Sequence, residues 1–184
     1  MKKLIIIYTV LLSTIVMAQK EEHLPYYKIP EYPETYTAGT VAARMVDGLG
    51  FRYYWATEGL TEEDLIYKAS ESGRTSAETI EHLYGLSKFI RNNVLKTDKD
   101  DTKETLSFEN KRKQTLLNFK VVADVLRNTD KPLNLEDTEV PFWNMINGPI
   151  ADALWHCGQV VMLRRASGNP FNSKVSVFQG RLRE

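Results

Sequence analysis

From Thr37 onward, Val41, Met45, Leu49, Tyr53 and Ala56 recur at intervals of three and four residues. That is the spacing of one helix face, and it predicts an amphipathic helix running to about Glu58. Gly48 and Gly50 weaken this helix and would let another helix approach it closely. Gly59 to Leu65 reads as a turn followed by a short capped helix. Thr75-Ser76-Ala77-Glu78 is a capping box, with Thr75 as N-cap and Glu78 three residues on. It opens a second long helix whose inner face is Ile80, Leu83, Leu86, Ser87 and Ile90. Residues 96–105 are rich in Lys, Asp and Thr and read as a solvated loop.

A third helix begins near Ser107, with Leu116, Leu117, Phe119, Val121, Val122, Val125 and Leu126 as a broad apolar stripe. Thr129-Asp130-Lys131-Pro132 ends it. After a loop through Pro141-Phe142-Trp143, a fourth helix runs from about Met145 to Ala166, bent at Gly148-Pro149. Ser167-Gly168-Asn169-Pro170 is a stop signal, and a short strand is expected at Lys174 to Phe178 in the tail beyond it. There is no internal repeat and no βαβ alternation. Four long amphipathic helices predict an all-α four-helix bundle.

Two segments precede the bundle. Lys2 and Lys3 are followed by an apolar run from Leu4 to Met17, with Val16 and Ala18 as small residues before a charged stretch starting at Lys20. This is the layout of a secretory signal peptide cleaved after Ala18, and the run is shorter than the ~20 residues of a spanning helix. No cysteine stands at the break, which excludes a lipoprotein anchor. A periplasmic or secreted protein is therefore expected. Pro25, Pro30 and Pro33, interleaved with Tyr26, Tyr27, Tyr32 and Tyr36, resist helix and predict an extended arm laid on the domain surface. The expected division is a leader at 1–18, an arm at 19–37, the bundle at 38–170 and a tail at 171–184.

Composition narrows the function. Hydrophobic residues are 42% of the 184, enough for a core. The 24 basic residues balance 24 acidic ones, so a nucleic-acid partner is not expected. A single cysteine excludes an intramolecular disulfide framework and any metal site built from several thiolates. The partners this leaves are a small-molecule substrate and, at most, a second copy of the chain as a homodimer. No stable membrane span is expected once the leader is gone.

Three histidines supply the candidate chemistry. His23 lies in the arm and reads as solvated. His156 follows Asp152 by four residues, which stacks the two on one helix face. If the second helix faces the fourth, His82 completes a two-histidine, one-carboxylate set with open positions. Such a set suits zinc, iron, nickel or manganese. On spacing alone the simpler reading is a surface ion pair between Asp152 and His156, with His82 a satisfied core histidine. Glu78 is accounted for by the capping box. Cys157 is rotated about 100° from His156 and reads as a small buried side chain. Arg164 and Arg165 complement the dipole at the helix end.

The run from Asp152 through His156, Gly158, Gln159 and Arg164 to Gly168 resembles the last conserved helix of DinB-like (DinB/YfiT) proteins. That helix typically reads H-x-x-x-H-x-G-Q, followed by a leucine-arginine pair and a glycine stop. The segment from Gly59 to Leu83, with His82 on the helix that Thr75 caps, is similar to the family's other landmark. Together they cover roughly residues 38–170. The resemblance implies an up-down-down-up four-helix bundle with three metal ligands near one end. It makes His82 the first ligand and His156 the last, and puts Asp152 where the family usually has its middle histidine. A carboxylate there alters the site charge and favours harder ions. For Gly158 and Gln159 the expected roles are close helix packing and an interhelical hydrogen bond. Some members of the family are similar to thiol-dependent transferases and isomerases. That chemistry belongs to reducing cytoplasm, so an exported chain is not expected to perform it.

Two classes of function remain. One is a metal-dependent hydrolase or transferase. The other is a binding or structural bundle without turnover, motivated by the missing histidine and the lack of any other obvious acid, base or nucleophile.

Overall fold

Thr37 ends the arm by accepting a hydrogen bond from the Thr40 backbone N–H through its hydroxyl, while the Thr40 hydroxyl accepts from the Thr37 N–H. This reciprocal pair satisfies two of the donors a helix start leaves open. The first helix, α1 (Ala38–Thr57), follows. A second threonine box, Thr61 with Asp64, opens the short α2 (Glu62–Ile66). Thr75 and Glu78 form the expected box at the start of α3 (Ser76–Leu95), and Ser107 caps α4 (Phe108–Arg127). The remaining elements are α5 (Phe142–Met145), a π-helical turn at Ile146–Ile150, α6 (Ala151–Ala166) and a two-residue hairpin, β1 (Val175–Ser176) with β2 (Arg181–Leu182). These elements come from a computed structural model describing residues 23–97, 105–128 and 140–184. The leader, its cleavage point after Ala18, most of the 96–105 loop and the Thr129–Pro132 stop lie outside the described residues.

The protein is a mostly helical bundle. α1 packs on α4 and α6, and α3 packs on the same two helices, so the four long helices form a ring around one core. Leu49, Phe51 and Tyr53 of α1, Ile80, Leu83 and Ile90 of α3, Leu116, Phe119 and Val122 of α4, and Ala153 and Val160 of α6 fill it. Polar pairs fix the register. Arg112 of α4 reaches Thr57 and Glu58 at the end of α1, and Arg127 reaches Asp47, 2.6 Å away, nearer the middle of α1. Between α3 and α4, Lys111 meets Glu81 at 2.5 Å, and Asn118 bonds Ser87 and Arg91 at 3.0 and 3.2 Å. No helix among the described residues is long and apolar enough to cross a membrane.

Several expectations are corrected in detail. The α4 stripe is narrower than its apolar residues suggest, because Val121 and Val125 are exposed while Leu116, Phe119, Val122 and Leu126 are buried. β-Branched residues on an outer helix face are tolerated, and periodicity alone does not mark which side of a wide stripe meets the core. The fourth helix starts earlier, at Phe142, and its irregularity takes the form of the π turn containing Pro149. Proline lacks the amide donor a regular helix would use, and a π turn absorbs that loss. What approaches α1 at Gly50 is the Tyr26 ring of the arm, which a Cβ there would collide with; no helix lies there. The arm is accordingly more than a surface strap: Tyr26 is buried, Trp55 donates to the Tyr27 carbonyl, and the Ile29 amide bonds Gly180 in the hairpin turn. The expected tail strand is the shorter Val175–Ser176, paired with a second strand that has no alternation to announce it.

Asp64 ties α2 to the end of α6. It is buried and accepts from the Ser167 hydroxyl, from Asn169 Nδ2 at 2.6 Å and from the Thr61 amide at 2.9 Å. Burial pushes its carboxyl upward, but the bonds from Ser167, the Thr61 backbone, Asn169 and the Thr61 hydroxyl outweigh it and bring the pKa down to about 2. A depressed carboxyl contributes stability that is complete above its ordinary value near pH ~4 and is lost as pH falls through the folded value. Urea unfolding at a series of pH values should therefore show a loss of about 2 kcal/mol over that window. In Asp64→Asn that loss should be absent.

Candidate metal centre

Helix α6 places Asp152 and His156 one turn apart, directly after the π turn, which also packs on α3. His82 stands in the second turn of α3, the helix facing α6. The three side chains converge. His82 Nε2 lies 3.1 Å from Asp152 Oδ2, and His156 Nε2 lies 3.3 Å from Asp152 Oδ1. The imidazoles meet edge to face at 4.5 Å between centroids, and one ligand atom from each residue falls within a 4.8 Å group. The Asp152–His156 pair predicted from spacing is real, and His82 joins it from across the helix interface. It is not an isolated core histidine.

The hydrogen bonds around the cluster define its donor chemistry. His156 Nδ1 is 2.7 Å from Gln159 Oε1. A carbonyl oxygen can only accept, so this contact selects the tautomer with hydrogen on Nδ1. In neutral His156 the Nε2 lone pair then faces a carboxylate oxygen. Two lone-pair-bearing atoms 3.3 Å apart repel each other unless a cation, a proton or a metal ion, lies between them. A carbonyl that holds the far ring nitrogen of a ligating histidine in this way is a recurring feature of metal sites. His156 is largely covered, whereas His82 and Asp152 are partly exposed, so the cluster is reachable from solvent.

It opens into a cleft of about 920 Å³ between the first half of α3, the outer face of α6 and the turn at Ala69–Arg74. Trp155 and Met162, 74% and 63% exposed, stand along its α6 wall on either side of Gly158. Compared with protein-family models, with curated proteins and with solved structures, the chain matches none of them.

The other candidates sort clearly. Glu78 is a capping residue: its carboxylate accepts from the Thr75 amide and hydroxyl at 2.8 and 3.1 Å, and these bonds lower its pKa. His23 is exposed and stacks on Tyr27 at 4.0 Å, outside the cluster. Cys157 is buried, burial pushes its thiol up to about 12, and it stands outside the cluster of His82, Asp152 and His156. Gln159 makes its bond within α6, onto His156, in place of the expected interhelical bond, because the i to i+3 spacing brings the two side chains together. Gly158 packs against nothing: a Cβ there would meet no atom within 4 Å, so the residue widens the cleft.

Arg164 is the residue whose role the sequence hid. It is 2% exposed and donates to the carbonyls of Trp55, Ala56 and Glu58 at 3.0–3.1 Å and to the Asn169 carbonyl at 2.7 Å. It therefore caps the end of α1 and is more than a complement to its own helix dipole. Arg165 is exposed and lies over the Phe171 ring at 5.5 Å.

Proposed function

We propose that His82, Asp152 and His156 hold a divalent metal ion and that the protein is an exported, DinB-like metal-dependent hydrolase or transferase. The observation that carries this reading is the opposed pair of His156 Nε2 and Asp152 Oδ1, with Gln159 holding the hydrogen on the other ring nitrogen. The donor set fits such an ion, with two nitrogens and one carboxylate oxygen on one side and the open cleft on the other. A bound divalent ion supplies Lewis acidity toward a substrate oxygen or toward water. The chain itself orients His156 through Gln159, holds the negative charge of Asp152 between two imidazoles, and keeps one side of the cluster open to substrate. Zinc, nickel, iron and manganese all accept this mixture of ligands.

The order of the cross-helix pairs supports the up-down-down-up connection of the DinB-like reading. Thr57 meets Arg112 and Asp47 meets Arg127, an antiparallel order; Glu81 meets Lys111 and Ser87 meets Asn118, a parallel one. The leader pattern in residues 1–18 extends the reading to the periplasm or the outside of the cell.

One observation favours a binding protein without turnover as the second reading. Among the described residues lining the cleft there is no lysine, cysteine or carboxylate to act as a further nucleophile or general acid. The metal is tested first. Full-length protein purified without chelator or affinity-tag metal, then loaded, should carry about one equivalent of metal by elemental analysis. The double variant His82→Ala/His156→Ala should carry none while keeping its helical circular-dichroism spectrum. No uptake by the wild type under any loading condition overturns the assignment.

A further inference from the structure

We infer that the cleft beside the triad binds a small molecule with an oxyanion at one end, a carboxylate or a phosphate, and an apolar body. This deepens the metal reading and rests on it for the ion.

Arg74 lies on the turn before α3 and lines the same cleft as His82 and His156. It is the one Lys, Arg, Asp or Glu among the described residues that line the cleft. Glu78 is close enough for its carboxyl to feel Arg74, but its Oε2 already accepts both Thr75 bonds. A divalent ion held by two neutral imidazoles and one carboxylate adds a second centre of net positive charge. Both fields attract an anion, and a guanidinium matches the two oxygens of a carboxylate or phosphate.

The opposite wall asks for something apolar. Trp155 and Met162 are separated by seven residues, two helical turns, and so stand on one face of α6. A tryptophan and a methionine this exposed in one cleft are an unusual surface to leave to water. Between them Gly158 leaves the wall open where any side chain would fill it. The result is an apolar shelf on the α6 wall of the cleft that Arg74, His82 and His156 also line, a surface suited to the apolar body of an amphiphilic anion.

The test is a calorimetric titration of the metal-loaded full chain with octanoate and octyl phosphate, and with octylamine and octanol as chain-matched controls. Metal content is measured on each sample. At least one of the two anions should bind; which of them does distinguishes a carboxylate ligand from a phosphate one. Octylamine and octanol should bind far more weakly. Arg74→Gln should weaken the anion roughly tenfold without loss of metal. Gly158→Leu, which the space around Gly158 admits, should abolish binding while metal and helicity are retained. Equal binding of all four probes, binding of none by metal-loaded protein, or titrations unchanged by both substitutions overturns the inference and leaves the metal reading intact. A wild type that takes up no metal but binds octanoate through Arg74 overturns the metal reading and supports the anion site.

Discussion

Arg164→Met should cost about 3–5 kcal/mol of folding stability, measured as a fall in the urea midpoint at unchanged slope. Methionine keeps most of the aliphatic stem, so the loss reports the guanidinium. In the folded protein that group serves the carbonyls of Trp55, Ala56, Glu58 and Asn169 together with Asn169 Oδ1. A helix end leaves its last carbonyls without intrahelical partners. At the end of α1, Tyr54 is served by the Glu58 amide, but Trp55 and Ala56 depend on Arg164. Each buried carbonyl left without a donor costs about 1–3 kcal/mol. Burial draws the Arg164 pKa below that of an exposed arginine, yet Asp64 and Glu58 nearby oppose the shift. Arg165→Met is the control, since its side chain is exposed over Phe171 and should cost less than about 1 kcal/mol. A similarly small loss for Arg164→Met would mean that water enters and serves the carbonyls instead.

Arg164 also shows where sequence reading stops. Its position in the last turn of α6 is a sufficient local explanation, and its partners at the end of α1 lie more than 100 residues away in the chain. Helix α6 breaks the usual pattern twice, with an arginine buried and a tryptophan and a methionine exposed. A hydrophobic periodicity cannot predict such an inversion, because it assumes that apolar residues face inward. The signal that could have pointed to the cleft is the inversion itself, an aromatic and a thioether flanking glycine on one helical face. Gly158 is ambiguous for a related reason: a glycine in a helix signals close packing or open space, and only the neighbouring helix decides which.

What was legible rests on short-range rules. Thr75 and Glu78 announced the start of α3 because a capping box is complete within four residues. The Thr37–Thr40 box is hidden in the sequence because threonine stands where glutamate or glutamine is the usual sign, although its hydroxyl performs the same bond. The pairing of Asp152 with His156 is legible because four residues make about one turn, whatever the tertiary fold. Their meeting with His82 depended on α3 facing α6, a statement about the bundle that four separate stripes do not contain.

The second large effect is expected at Asp152. Its carboxylate touches both histidines, at 3.1 and 3.3 Å, and its side chain is 40% exposed, which leaves room for a larger group. Asp152→Ala leaves two imidazoles and should weaken metal binding by roughly 10–100-fold. Asp152→His puts a third nitrogen donor on the same helix face. Zinc and nickel favour imidazole and manganese favours carboxylate, so the substitution should raise zinc and nickel affinity roughly tenfold and lower manganese affinity. Competition titrations with a chromophoric chelator read both changes. If Asp152→Ala binds metal as tightly as the wild type, the carboxylate is only the acceptor of an ion pair, and the opposed lone pairs at His156 are bridged by a proton.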